Sequence, residues 1–197
     1  MKTLTYVSTK SIEALTWPVT IENTNLYSPA LSVFTDFKTA APRVIEASTR
    51  AAELVRLMRK EHVRMKVVVD ENNGFVGVVG LEDLSEEAFV MQVAKGYNRS
   101  ELLVADLMRP KEDILALSYG SLKNADIESL LYSQKTNELQ HLLVIDENTK
   151  AVRGLISASD VARQLKLDID VTFSSFRNIY KIALLGEAHG ASKLQVA

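Results

Sequence analysis

The chain contains no cysteine in 197 residues. That excludes disulfides, thiolate nucleophiles, iron–sulfur clusters and the usual structural zinc sites, and it agrees with a reducing compartment. No apolar run approaches the roughly 20 residues that span a bilayer, and the opening stretch MKTLTYVSTKSIEALTWPVTIEN lacks a signal-peptide core. Net charge is only −2, so there is no global basic field to attract nucleic acid or anionic lipid. A local group, Arg56, Arg59, Lys60, Arg64 and Lys66, reads as a solvated helix face running into a strand. His62, His141 and His189 are scattered without metal-ligand spacing, and no G-x-S-x-G, P-loop or G-x-G-x-x-G occurs. The expectation is a soluble, cytoplasmic chain with no metal, no catalytic residues, and no nucleic-acid or membrane partner.

What is present is a globular balance, 47% apolar and 24% charged, long enough for one domain or two small ones sharing a core. It is also internally repeated. VVDEN at Val68–Asn72 returns as VIDEN at Val144–Asn148, 76 residues later. GVVGLED at Gly77–Asp83 returns as GLISASD at Gly154–Asp160, 77 residues later, the extra residue falling in the turn between.

Ahead of each DEN lies a helical stripe: Ala51, Leu54, Val55 and Met58 in the first unit, Ile127, Leu130 and Leu131 in the second. Short β-like pieces, RVIEA and ILAL, precede them. Ala158, Val161, Ala162 and Leu165 form one helix face after the second acid. Leu81, Leu84, Ala88 and Met91 do so after the first. MKVVVD and HLLVID are near-continuous apolar runs, buried on both faces and ending in Asp–Glu–Asn hairpin turns rather than metal loops.

The pattern predicts an α/β fold: two pseudo-symmetric β-α-β-β-α repeats packed into one module. An N-terminal extension covers 1–37, the first repeat 38–95, a linker helix and second repeat 96–168, and a C-terminal helix and tail 169–197. In the linker, Gly96 reads as a helix C-cap and Ser100 as the N-cap of a short helix ending before Pro110. Phe176, Ile179, Tyr180 and Ala183 make a stripe that packs on the pair or on a second subunit. GEAHGASKLQVA reads as a frayed tail.

GLISASD supports two readings. If Leu155 and Ile156 close a buried strand, Ser157 is an N-cap with Asp160 at N3, a capping-box spacing that accounts for both residues. The same geometry aims N–H groups and the Ser157 and Ser159 hydroxyls at a phosphate, and Asp160 at the vicinal hydroxyls of a ribose. Gly154 allows close approach of backbone or ligand. In the first unit Gly80 stands for Ser157 and Glu82 for Ser159, so both hydroxyls are lost and only Asp83 remains.

Two such units, each with a V-h-D turn and a closing G-h-h-S/T-x-x-D (h is apolar), resemble a tandem pair of CBS (cystathionine-β-synthase-type) domains, a Bateman module. The resemblance spans roughly residues 38–168 and is fuller in the second unit, which has LLVADLMRP before it and AVRGLISASDVARQL at its end. It implies a regulatory sensor of adenosine-containing ligands (AMP, ADP, ATP, S-adenosylmethionine or a dinucleotide), with no obligatory cofactor. It also implies that Pro42, Arg43, Arg64 and Met65 wall the pocket closed by Ser157, Ser159 and Asp160. Arg64 would neutralise phosphate and Met65 would lie against adenine. Gln140 and His141 would face a weaker first-unit site with Asp83. A homodimer and an unidentified protein partner are expected. The rival reading is a ligand-free dimerisation or protein-interaction module; an enzyme with an unrecognised site ranks last.

Overall fold

The computed structural model describes residues 24–169 and 175–185. The readings of the first 23 residues and of the C-terminal tail lie outside them. Two 3-10 turns, Ala30–Val33 and Lys111–Asp113, accompany the strands β1 (Phe34–Asp36), β2 (Val44–Glu46), β3 (Met65–Val69), β4 (Phe75–Gly80), β5 (Arg109–Pro110), β6 (Leu117–Ser118), β7 (His141–Asp146) and β8 (Ala151–Ser157). The helices are α1 (Ala51–Glu61), α2 (Glu86–Ala94), α3 (Val104–Leu107), α4 (Tyr119–Leu122), α5 (Ile127–Ser133), α6 (Ala158–Gln164) and α7 (Phe176–Leu185).

Two four-stranded sheets form, ordered β2-β3-β4-β5 and β1-β8-β7-β6. Within each, the first pair of a repeat is parallel (β2/β3, β6/β7) and the DEN turns close antiparallel hairpins (β3/β4, β7/β8). Asp70 Oδ1 accepts from the N–H groups of Asn72 and Gly74, and Asp146 Oδ1 from that of Asn148, as Asx turns require.

The fourth strand of each sheet is exchanged. β1, which leads into the first repeat, pairs with β8 of the second, and β5, which leads into the second, pairs with β4 of the first. The glycine of each repeated motif sits at this crossing, Gly154 opposite Asp36 and Gly77 opposite Pro110. A Cβ on Gly154 would collide with the Thr35 carbonyl oxygen and come within 2.5 Å of the Phe34 ring. One on Gly77 would collide with the Arg109 carbonyl oxygen. Backbone, not ligand, is what these glycines admit.

The exchange is clamped by Arg153, whose Nε and Nη2 donate to the two Asp36 carboxylate oxygens, each at 2.7 Å, while its guanidinium lies 4.5 Å over the Tyr119 ring. That bond, helped by the Lys38 N–H, lowers the Asp36 carboxyl to about 2.

Side-chain alternation divides the core. Val68 faces a cluster with Leu54, Met58, Val79 and Phe89 under the first helical layer. Val144 and Ile156 join Ile127, Leu131, Val161 and Phe176 under the second. Met65, Val67, Val78 and Leu143 form a third cluster joining the sheets. All of β3 is buried, including Lys66, whose Nζ bonds Glu61 Oε2 at 2.8 Å. Lys66 therefore does not belong to the solvated basic face expected from sequence.

Two helix readings are corrected. After the first closing turn the helix starts only at Glu86, because Ser85 is the N-cap, accepting from the Ala88 N–H at 3.2 Å. The shifted register buries Phe89 and leaves Met91 62% exposed, so the stripe through Met91 is not the packed face. Ser100 caps nothing: it bonds Asn98, and α3 begins after Leu103, whose N–H donates to Asp106. Gly96 does end α2, with φ of 96°. The α7 stripe packs on its own chain, with Phe176 and Ile179 fully buried and Tyr180 and Ala183 against the second cluster.

Candidate ligand-binding site

The two closing turns are suspended on equivalent atoms. Leu81 N–H donates to the Arg64 carbonyl at 3.0 Å, and Ala158 N–H donates to the Gln140 carbonyl at 2.8 Å. Arg64 and Gln140 are 76 residues apart, the repeat offset, and their side chains meet: Arg64 Nε donates to Gln140 Oε1 at 3.0 Å. This hydrogen bond joins the units at the point where their pseudo-symmetry relates one residue to the other.

His141 follows Gln140 and pairs in register with Ser157. Burial, followed by the positive charges of Arg64 and Arg109, lowers its imidazole to about 4, with Asp160 opposing. Arg64, Arg109, His141 and Asp160 thus share one electrostatic neighbourhood built from both units.

The turns themselves differ. In the first, Gly80 N–H donates to Asp83 Oδ2 at 2.7 Å, and Arg109 reaches Asp83 at 3.3 Å and Glu82 at 3.4 Å. The Glu82 carboxylate lies back over Gly80, so that a Cβ there would stand 2.5 Å from it. It fills the space in which Ser157 carries its side chain in the second unit. The first turn is closed by its own anion.

In the second turn the capping-box expectation fails. Ser157 makes no side-chain cap bond, and Asp160 turns outward to Arg163 at 2.6 Å. The buried Ser157 hydroxyl instead meets that of Ser159 at 2.7 Å. Either hydroxyl can donate; whichever gives its proton, the other hydroxyl proton has no acceptor among the described residues.

The structure brings Arg64, Gln140, His141 and Asp160 together, with Ser157 and Ser159 beside them. Asp83 joins through Arg109, a residue that sequence reasoning did not select although it read the LMRP stretch. Met65 is buried in the cluster between the sheets. Pro42 and Arg43 lead into β2, where the Arg43 carbonyl accepts from Val67 N–H. The charge of Arg43 acts on Glu61, after that of Lys66, in lowering its carboxyl. Among the described residues no hydrogen bond or ion pair links Pro42 or Arg43 to the second closing turn. A cavity of about 470 Å³ lies near the start of β7, lined in part by Leu117, Leu139 and Leu142.

The CBS domain family model matches residues 35–89. That is the first unit, whereas the motif resemblance is fuller in the second. Curated protein sequences give no match. Solved structures do. A conserved protein from Pyrococcus horikoshii aligns at TM-score 0.53 with 17% identity, over 74% of this chain and 98% of its own. A CBS-domain-containing protein from Agrobacterium tumefaciens aligns at 0.51 with 18% identity, over 71% and 98%. CBSX2 of Arabidopsis thaliana, solved in complex with AMP, aligns at 0.50 with 22% identity, over 70% and 94%. Residues 35–89 thus match a CBS domain, and the described chain shares the fold of these solved structures. No helix among the described residues is long and apolar enough to cross a membrane.

Proposed function

We propose that the chain is a regulatory module that binds an adenosine nucleotide of the AMP, ADP or ATP type, or S-adenosylmethionine, at its second closing turn. The observation that carries this reading is the Ser157–Ser159 hydroxyl pair, which leaves a proton to give to an outside acceptor. A phosphate oxygen suits that proton and the nearby Arg64. Asp160, held among the described residues by an exposed pairing with Arg163, can exchange it for ribose hydroxyls. Met65 supplies apolar floor, and Pro42 and Arg43 form the outer wall. The first turn, occupied by Glu82, takes no phosphate, and Asp83, Gln140 and His141 serve as frame there.

Signalling follows from the position of Arg64. A ligand that draws its guanidinium away from Gln140 weakens the side-chain bond between the units, and so has different affinities for the two arrangements. The protein would act in the cytoplasm as a homodimer, reporting to a protein partner and catalysing nothing. AMP bound to CBSX2 on the same fold supports the choice of ligand class.

Calorimetric titration with AMP, ADP, ATP, S-adenosylmethionine and NAD tests it. The expected result is one saturable site per chain, lost in Asp160→Ala while the variant stays folded. Heat-free titrations with all five would overturn the reading and leave the interaction module, for which the uncovered face described next is the specific support.

A further inference from the structure

Among the described residues, the second repeat has a helix without a counterpart on the first. α7 lies on α5 and α6, burying Phe176 and Ile179 and setting Tyr180 edge-on to Tyr132 at 6.3 Å. What remains of the groove it fills is a cleft of about 450 Å³ bounded on α5 by Glu128, Ser129 and Tyr132. Subtracting the repeat offset of 76 gives Ala52, Glu53 and Arg56 on α1, a helix that begins, like α5, at the matching position. Those three residues, with Arg50, Leu57, Arg59 and Lys60, line an open groove of about 880 Å³. Among the described residues, no helix takes on the first repeat the place that α7 takes on the second.

Its charge identifies the occupant. Four of the lining residues are basic and one is acidic. Arg50, Arg56, Arg59 and Lys60 are all exposed, and none takes part in an ion pair of the described residues. Leu57 and Ala52 supply apolar surface between them. A second copy of α7 does not suit the groove, because that helix carries Arg177 and Lys181 and no acid. We infer that the α1 groove is the docking site for an amphipathic helix of a partner protein, apolar along one stripe and acidic along its flanks, seated as α7 is on α5. The anchor is apolar contact on Leu57 and Ala52, and the selection is by charge pairing with the four bases.

The probe is a fluorescein-labelled peptide of Ser175–Leu185 carrying Arg177→Glu and Lys181→Glu, titrated with the full chain and read by anisotropy beside the unsubstituted peptide. The acidic peptide should bind saturably, at least tenfold more tightly than the basic one, and added salt should narrow the gap. Arg56→Glu/Arg59→Glu should abolish that preference; both positions are exposed, so circular dichroism and the melting curve should match the parent. Equal binding of the two peptides, no binding, or a preference that survives the double variant overturns the proposal. So does capture of phosphatidylserine vesicles or duplex DNA in place of the peptide, lost in the double variant, which would assign the groove to an anionic surface or a nucleic acid. Dissociation of a dimer by the double variant would assign it to a second copy.

Discussion

The two closing turns share a backbone and differ in what occupies them. Both hang from the carbonyl of the residue at the start of the middle strand, both follow a glycine at a strand crossing, and both carry an acid six residues after that glycine. In the first, the acid caps its own turn, a second carboxylate fills the space over Gly80, and Arg109 neutralises both. In the second, the acid faces outward and two hydroxyls share one bond. The repeat conserves the scaffold and leaves the donor set free to vary, so a spacing alone does not distinguish a cap from a binding turn. The hydrogen bonds show only which acid caps its own turn.

The largest expected effect breaks the scaffold common to both. Gly154→Ala places a methyl against the Thr35 carbonyl and the Phe34 ring, where backbone must move. It should cost about 3 kcal/mol or more, as overpacking against fixed atoms does. Gly77→Ala should behave alike, because its obstacle is also backbone. For Gly80→Ala the nearest atoms are the mobile end of Glu82, so it should melt close to the parent. Three melting curves check the ranking, and equal losses at all three would refute the distinction between crossing glycines and the turn glycine.

Next in size is the acid response of the joint between the turns. His141 has its imidazole lowered from 6.5 to about 4 by burial and by Arg64 and Arg109. Because the folded state binds this proton less well than the unfolded one, its stabilising contribution is complete above pH 6.5 and falls away toward pH 4. By then the loss is about 3 kcal/mol. His141→Gln should flatten the stability curve across that window. Asp36 marks a separate one: its carboxyl is lowered from 3.8 to about 2, so the contribution of the Arg153 clamp persists above pH 4 and disappears as pH falls through 2. Urea unfolding from pH 7 to below pH 2 separates the two windows, and an unchanged slope in His141→Gln would show that another group carries the upper one.

Much of this frame was legible in sequence, and the failures have identifiable causes. The offset of 76 between the DEN turns predicted the duplicated architecture, and the continuous apolar runs predicted β3 and β7, because burial on both faces leaves no polar alternation. The exchange of β1 and β5 was not legible, since strands of three and two residues carry no periodicity. The α2 stripe was misread because Leu81 and Leu84 continue a helical spacing through a turn, while the true start, Ser85 followed by two glutamates, lies four residues further on. Arg64, Gln140 and His141 were reached through the family resemblance. Arg109 was missed because its partners, Asp83 and Glu82, are 26 and 27 residues away and no local pattern couples them.

The smallest effect on folding is the sharpest test of the comparison. Asp83→Ala removes the acceptor of the Gly80 N–H and leaves Arg109 with Glu82 alone, in a turn where the Asp83 side chain is 14% exposed. A loss of about 1–2 kcal/mol is expected from an unmade cap and the loss of one of the two Arg109 ion pairs. Asp160→Ala removes a pairing whose two side chains are 37% and 67% exposed, and should cost no more than about 0.5 kcal/mol. Nucleotide affinity should rank the two variants in the opposite order, falling at least tenfold in Asp160→Ala and little in Asp83→Ala. Denaturant titration and calorimetry on the same pair supply both rankings. If stability and affinity fall together in Asp160→Ala, the outward carboxylate is a cap after all and the two turns are alike. If they separate, one repeat keeps its acid to hold the fold and the other keeps it for a ligand.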